Sequence, residues 1–578
     1  MKIILVLLLF SCTKQKNELN EKVLNQTSTP VQHFDPQLRT GLASGLHLSK
    51  SLEALYETHP FSPPDKILPN LADGMPKVSA DGKTYTIKVK KNVFYHPNKC
   101  FNGQRELIAK DFENSFKRVA DPKLVSPHFS YWKKHLVGIE KWYDDQKKNT
   151  VTDYSIPLEG VKAIDKYTIE FKIKEKNAEF PFLLADVVSS PVPKEAIDYY
   201  KNDFSNVIIG TGPFIMKEHI KKNKMLFIAN PKFRDKFFPK DANPTYKNYV
   251  QEYAGKKLPL ISKINVQITN QTQTAWLNFM KGNLDYVNTP RDNMSETFMA
   301  KDELTPKMKD LGIKIGANEI LTNVYYFGLN TKSDTLKNKL IRQAIGYALD
   351  YDKYHKLFFA NFAELAHTLT PPNILGNKPK TISPYVKVNI EKAKELLKKA
   401  GHENGKGIRP LEIIVKNKTF SRQIGEFFQN ELAKINIPSK LVTVSWERLL
   451  QRVQNNQFDA FYLAWFVGLP TAFEFFELIY GPNYPDSFNR VGYQNEQFDN
   501  LFRKAKAEDN LATKAKLIRK MNDIFIEDLP IIPLVHRSDL FVHQGWLKNY
   551  VPTQQYGGLE QYIDIDLDLK RKLLKKMR

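Results

Sequence analysis

Polar and apolar positions along the chain fall into two alternating periods. Just after Asp81-Gly82, Tyr85, Ile87 and Val89 alternate with Thr84, Thr86, Lys88 and Lys90. A period of two behind a turn dipeptide predicts a half-exposed strand. Ile169, Phe171 and Ile173 alternate with Glu170 and Lys172 in the same way. Elsewhere the period lengthens to that of a helix. From Asn389, an N-cap residue type, Ile390, Ala393, Leu396, Leu397 and Ala400 recur three or four residues apart until Gly401 closes the segment. Leu340, Ile341, Ala344, Ile345, Ala348 and Leu349 make a second apolar face with lysines opposite. Strands and helices alternate without an internal repeat, which predicts an α/β architecture.

Two apolar runs break these periods. Met1-Lys2 precedes the run Ile3 to Phe10, and Ser11-Cys12-Thr13-Lys14 comes after it. A membrane span needs about 20 apolar residues, so a charged start, a brief apolar core and a small residue before a cut describe an export signal. The segment resembles a bacterial lipoprotein signal: Leu9, Ser11 and Cys12 fit the lipobox, with Phe10 bulkier than the usual residue. The expectation is cleavage after residues 1–11, lipidation of Cys12, and a polar tether over 12–21 whose composition runs on to about Gln26. An ordinary secretory signal containing a cysteine is the alternative. The second run, Phe461 to Tyr480, holds Pro470, Glu474 and Glu477, and acids within a bilayer are costly. It predicts a fully buried strand Phe461–Val467, a turn at Gly468-Leu469-Pro470 and a helix from near Thr471.

The length of 578 residues exceeds a single core and predicts about three lobes. A hydrophobic fraction of 42% excludes disorder. Two cysteines, Cys12 and Cys100, exclude a disulfide framework and a four-ligand zinc site. The formal charge of +23 is spread over helix faces instead of gathered beside a recognition motif, which argues against nucleic acid. Its one dense stretch, Lys570 to Arg578, reads as a solvated tail. No catalytic constellation emerges. Gly401-x-x-x-Gly405-Lys406-Gly407 is one residue short of a phosphate loop and lacks its Ser or Thr. Gly210-Thr211-Gly212 lacks the third glycine of a dinucleotide fingerprint and reads as a tight turn. Asp564-Ile565-Asp566-Leu567-Asp568 has Leu569 where a calcium loop needs glycine, and reads as a strand edge. The reading is a non-enzyme with no metal and no cofactor.

An ordered series of short segments carries a family resemblance. Phe34-Asp35-Pro36 and Thr40-Gly41-Leu42 come first, then Asp81-Gly82-Lys83-Thr84-Tyr85-Thr86, Phe101-Asn102-Gly103-Gln104, Ala109-Lys110-Asp111-Phe112 and Phe116-Lys117-Arg118. Gly210-Thr211-Gly212-Pro213-Phe214, Lys281-Gly282-Asn283-Leu284-Asp285, Phe458-Asp459-Ala460 and Asp528-Leu529-Pro530 continue it. Together they resemble the extracellular solute-binding proteins of peptide-type ABC importers, the oligopeptide- and dipeptide-binding family. The resemblance implies a two-lobed periplasmic-binding-protein fold with a hinged cleft and an inserted accessory domain. It places lobe I at 22–56, 172–268 and 530–578, the accessory domain at 57–171 and lobe II at 269–529, with crossings near Thr269 and Leu529 as the hinge.

In this family the peptide lies extended and adds its backbone to strands, so main-chain hydrogen bonds ignore side-chain identity. By position, Thr40, Gly41 and Leu42 would pair on one side, and Ala464, Trp465 and Phe466 on the other. Many members follow the matching tryptophan with a residue, an Ala and then an Asp that holds the ligand's α-ammonium; here Gly468 stands in that place. Losing such a buried partner costs about 2 to 5 kcal/mol. Glu447, Asp459 and Glu474 are the acids at hand to replace it, each with a structural reading beside the functional one. A blocked peptide or another small solute of the family is the alternative ligand. The resemblance implies an exported, membrane-anchored, monomeric receptor that delivers its ligand to an ABC permease of the cytoplasmic membrane. A non-transport sensor or chaperone of the same fold and an exported hydrolase are the competing classes, separated by neighbouring permease genes and by peptide turnover.

Overall fold

The computed structural model describes residues 21–31, 33–40, 42–62, 66–300, 303–316, 322–359, 362–372, 374–375, 382–468, 471–485, 488–551 and 557–577. Cys12 and the expected signal, Gly41, Leu469 and Pro470 lie outside them. The chain divides into two compact units, Met1–Glu319 with Asp539–Arg578, and Ile320–Ser538.

The first unit begins where the polar composition predicts more tether: Val23 and Leu24 are buried, so polar-looking Val23–Ser28 is strand β1. Helix α1 (Leu42–Leu48) comes next. Strands β2 (Phe214–Ile220), β3 (Lys224–Ala229) and β4 (Lys263–Ile268) complete a sheet in the order β1–β4–β3–β2, with β1 parallel to β4 and the other pairs antiparallel. The period-two segments form a second sheet, in which Thr84–Lys88 pairs antiparallel with Thr168–Lys172 and buries Tyr85, Ile87, Ile169 and Phe171. Helix α2 (Ala109–Val119) buries Phe112, Phe116 and Val119. Helix α3 (Thr272–Met280) leads to Tyr286–Asn288, which pairs with Phe541–Gln544; the other edge of Phe541–Gln544 takes Ile313–Ile315.

Those last pairings correct the expected hinge. Residues 269–316 are tied into the first unit by the sheet around Phe541–Gln544, so the first crossing falls between Glu319 and Ile320, not near Thr269. The second falls between Ser538 and Asp539, beyond Leu529. The intervening Ile531–Arg537 is a central strand of the second unit.

In that unit β5 (Asn323–Leu329), β6 (Ala363–Leu365), β7 (Leu411–Lys416), β8 (Ser439–Val444), β9 (Ala460–Phe466) and β10 (Ile531–Arg537) form one sheet in the order β6–β10–β5–β9–β7–β8. Both faces of β5 are buried: Tyr325, Phe327 and Leu329 enter one core with Ile341, Ala344, Ala393 and Leu397, while Val324 and Tyr326 enter another with Phe473, Phe476 and Phe498. A strand covered on both faces reads as a continuous apolar run. The two predicted helices supply the first core. They span Lys339–Ala348 and Ile390–Lys399, the latter capped by Asn389 Oδ1, which accepts from Lys392 N at 2.9 Å.

The carboxyl terminus departs from expectation. Asp564-Ile565 is a short strand, but Leu567–Met577 is a helix and not a solvated tail. Its Lys570 is buried and reaches Asp285 Oδ1 at 3.3 Å. Asp285, fully buried, also accepts from Trp546 Nε1 and from the Asn25 backbone N–H, each at 2.6 Å. One carboxylate thereby joins β1, the segment after α3 and the last helix, which no local pattern in a lysine-rich tail reveals. No helix among the described residues is long and apolar enough to cross a membrane, the 461–480 run included.

Truncating Asp285 leaves Lys570 and the Trp546 N–H without their common acceptor, and breaking a buried pair typically costs about 3 to 5 kcal/mol. Asp285→Ala should therefore lower the urea unfolding midpoint of the first unit, monitored by tryptophan fluorescence. A loss below about 1 kcal/mol would contradict this role.

Candidate functional site

Strand β9, with the sequence AFYLAWF, is the centre of the second unit's sheet at one end and leaves its cover at the other. Ala460, Phe461, Tyr462 and Leu463 are buried, Ala464 and Trp465 are half-buried, and Phe466 is 57% exposed. The expectation of a strand buried throughout thus fails at Ala464, Trp465 and Phe466, while Val467 just beyond is buried. The hydrogen-bonding edges differ in the same way. Along one edge β9 pairs with β5 over its whole length, from Ala460 opposite Leu329 to Phe466 opposite Asn323. Along the other, β7 pairs only with Ala460 and Phe461.

Register decides which residues face the uncovered edge. Asn330 N–H donates to the Asp459 C=O, and Val467 N–H donates to the Thr322 C=O. Hydrogen-bonded and non-hydrogen-bonded pairs alternate in an antiparallel ladder, so odd-numbered residues of β9 turn their backbone groups to β5. Ala464 and Phe466 turn theirs to the other edge, where no strand pairs with them among the described residues. Trp465, expected to pair with ligand beside them, has its backbone on the β5 side instead. Its side chain anchors the neighbouring helix and loop: Nε1 donates to the Glu474 C=O at 2.9 Å, and the ring meets Phe488 edge-on at 5.0 Å.

Gly468 lies just beyond, exposed, outside the left-handed region, and with nothing within 4 Å of where a Cβ would stand. The three acids considered in its place are occupied differently. Asp459 is buried and held by both guanidinium nitrogens of Arg409, at 2.7 and 2.6 Å, and by the Glu412 N–H at 2.9 Å. Its role is structural. Glu447 sits exposed in the first turn of the helix Trp446–Gln454, where backbone N–H and Ser445 hydrogen bonds hold its carboxyl below the usual range. Glu474 opens the helix Ala472–Phe476 that receives Trp465.

In the first unit, Thr40 is exposed at the end of the segment Phe34–Arg39, and Leu42 is the first residue of α1. The segment is clamped by a residue that the sequence marked only as part of a family signature. Arg118, on α2, pairs with buried Asp35 and donates through Nε to Gln37 Oε1 at 3.2 Å. Its guanidinium lies 4.5 Å from the Phe204 ring centroid. Ser126 Oγ donates to the Gln37 C=O at 2.5 Å, and Gln37 Nε2 donates to the Val188 C=O at 2.9 Å. Arg39 meets Asp186 at 2.6 Å; burial works to raise that carboxyl, but Arg39 and the Val188 N–H outweigh it and hold it low. Beyond α1, the Gly210 and Gly212 turn touches Ser51: a Cβ on either would stand 1.9 or 2.6 Å from the Ser51 C=O oxygen, so close backbone approach explains these glycines.

Set beside known proteins, residues 66–486 match the family profile described as bacterial extracellular solute-binding proteins, family 5 Middle. Di/tripeptide-binding protein 1 of Pseudomonas aeruginosa is 25% identical over 487 residues, covering 82% of this chain and 81% of its own. Among solved structures, HbpA2 from Haemophilus parasuis superposes with a TM-score of 0.75 at 24% identity, covering 94% of this chain and 99% of its own. The periplasmic binding protein DppA from Helicobacter pylori, in complex with the peptide STSA, gives 0.69 at 23% identity, covering 95% and 99%.

Proposed function

The chain belongs to the bacterial extracellular solute-binding proteins of family 5, and from that premise we propose that it is the peptide-capturing component of an ABC importer. The observation that carries the reading is the uncovered edge of β9. The N–H and C=O of Ala464 and Phe466 form a short template to which an extended peptide adds as a strand, irrespective of its side chains. In the first unit, Thr40 and Leu42 are the residues proposed to offer backbone groups to a peptide. The Arg118 clamp supports this by fixing the segment before Thr40 in advance, which lowers the ordering cost on binding. A monomer tethered through a lipid on Cys12 and handing its ligand to a permease completes the proposal. Neither nucleic acid nor a catalytic step has a place in it.

Gly468 bears on which peptides bind. With no carboxylate at that position and Asp459 committed to Arg409, a free α-ammonium would be desolvated without a fixed counter-charge. Peptides blocked at the amino terminus should bind as well as free ones or better. The position has room for a side chain, so Gly468→Asp should reverse the preference. Calorimetric titration of one extended peptide, free and acetylated, against both proteins reads this directly. A wild-type preference for the free amine beyond about 1.4 kcal/mol, tenfold in affinity, would show that another acid serves the role.

Anchoring is tested separately. Acyl chains add about 0.8 kcal/mol per buried CH₂, so two or more hold a protein on a bilayer firmly. Cys12→Ser should move the protein to the soluble fraction after a high-salt wash; retention in the membrane pellet would refute lipidation.

A further inference from the structure

Strands β7 and β9 run parallel and pair only at Ile413 with Ala460 and at Ile414 with Phe461 before they part. On its other side β7 stays joined to β8, and the N–H groups of Leu411 and Asn417 donate to the C=O groups of Pro438 and Val444 there. Alternate residues of a strand in a parallel ladder bond to opposite neighbours, so Lys416 turns its backbone toward β9. The fork thus has Lys416 on one prong and Ala464 and Phe466 on the other. Pleating puts the Lys416 side chain on the face of Ile414, whose core also holds Phe461 and Leu463 and packs against Trp465. Its Nζ lies 3.8 Å from the ring centroid of Trp446, the first residue of the helix Trp446–Gln454. Lys416 is half-buried and Trp446 is 42% exposed, so the corner they form reaches the surface.

The charges at this corner have one sign. A tryptophan face attracts an ammonium without supplying the lone pairs that its N–H groups seek. No carboxylate pairs with Lys416 among the described residues. Its charged neighbour is Lys418, exposed and also without an acid among them. Glu447, next to Trp446 in sequence, is held by its own backbone and by Ser445, and Arg448 donates to Gln451 at 2.8 Å. Burial, then Lys418, depress the Lys416 pKa, and both are penalties on the charged form that a carboxylate beside it would reverse. Gly468, beyond the end of β9, adds no acid either.

We propose that Lys416, backed by Trp446, receives a carboxylate of the bound peptide, so that the receptor selects ligands carrying negative charge. A strand added along Ala464 and Phe466 sends its side chains alternately to the two faces of the sheet, and one on the Ile414 face arrives at this corner. The carboxylate comes either from an acidic side chain there or from a carboxyl terminus that ends there. The inference rests on the peptide-receptor reading and adds the charge of the ligand to it.

The experiment titrates the full chain, stripped of bound ligand, with acetylated alanine tetrapeptides by calorimetry. One is amidated and uncharged, one keeps its terminal carboxylate, and the amidated form is also made with Glu, or with Lys, at its second or third residue. At least one carboxylate-bearing peptide should bind about tenfold more tightly than the uncharged one, the size of a hydrogen bond to a charged group, and which one does so identifies the source of the carboxylate. Lys416→Met, which keeps an aliphatic stem against Trp446, should erase that advantage, and Lys416→Arg should retain it. If Lys416→Met does not melt cooperatively, the wild-type protein still decides, because the advantage of a half-buried pair should shrink as sodium chloride is raised. An uncharged peptide that binds as tightly as every carboxylate-bearing one overturns the proposal and leaves the receptor reading standing. Tighter binding of a Lys peptide, an advantage that survives a folded Lys416→Met, or an advantage indifferent to salt overturns it as well. If none of the peptides binds, both readings fall.

Discussion

A strand edge inside a protein must be hydrogen-bonded, because an unpaired buried amide or carbonyl costs about as much as a lost hydrogen bond. Strand β9 meets that requirement along both edges at Ala460 and Phe461, but beyond them only along its β5 edge, which leaves the backbone groups of Ala464 and Phe466 without a strand partner among the described residues. The change coincides with its emergence from the core, since exposure rises along the same residues. The open template is therefore solvated at no great cost in the free protein, yet rigid, because the β5 edge of the strand is paired throughout. An exposed edge this short presents little to aggregate through.

Rigidity elsewhere depends on buried charge. Asp35 with Arg118 fixes the segment leading to Thr40, and Asp285 gathers β1, Trp546 and the last helix. Such pairs do not rank high as sources of net stability, because desolvation offsets their attraction. Their value here is positional: each carboxylate receives donors from segments far apart in sequence, and losing one partner strands the others. Trp465 does the same on a smaller scale, its indole N–H joining the end of β9 to the helix Ala472–Phe476.

Much of this was legible in the sequence. Period-two and period-3.6 segments became the expected strands and helices, and the apolar run after Phe458 became a strand followed by a helix at the expected places. The family and its fold followed from many weak matches in order. What failed to show was non-local. The crossings were misplaced because strands Tyr286–Asn288 and Ile313–Ile315 are recruited by Phe541–Gln544, more than two hundred residues away. The C-terminal helix looked like a solvated tail because the buried partner of Lys570 is Asp285. The division of labour between Trp465 and its neighbours depends on ladder parity, which no residue type encodes.

The central claim is that Ala464 and Phe466, and not Trp465, offer backbone groups to the ligand. Residue-resolved amide hydrogen exchange tests it directly, with and without a saturating extended peptide. The amides of Ala464 and Phe466 should exchange readily in the free protein and become protected in the complex, while Trp465, bonded to β5, should be protected in both. If Ala464 and Phe466 are already protected without ligand, or stay unprotected when the peptide is bound, the strand-addition account is wrong.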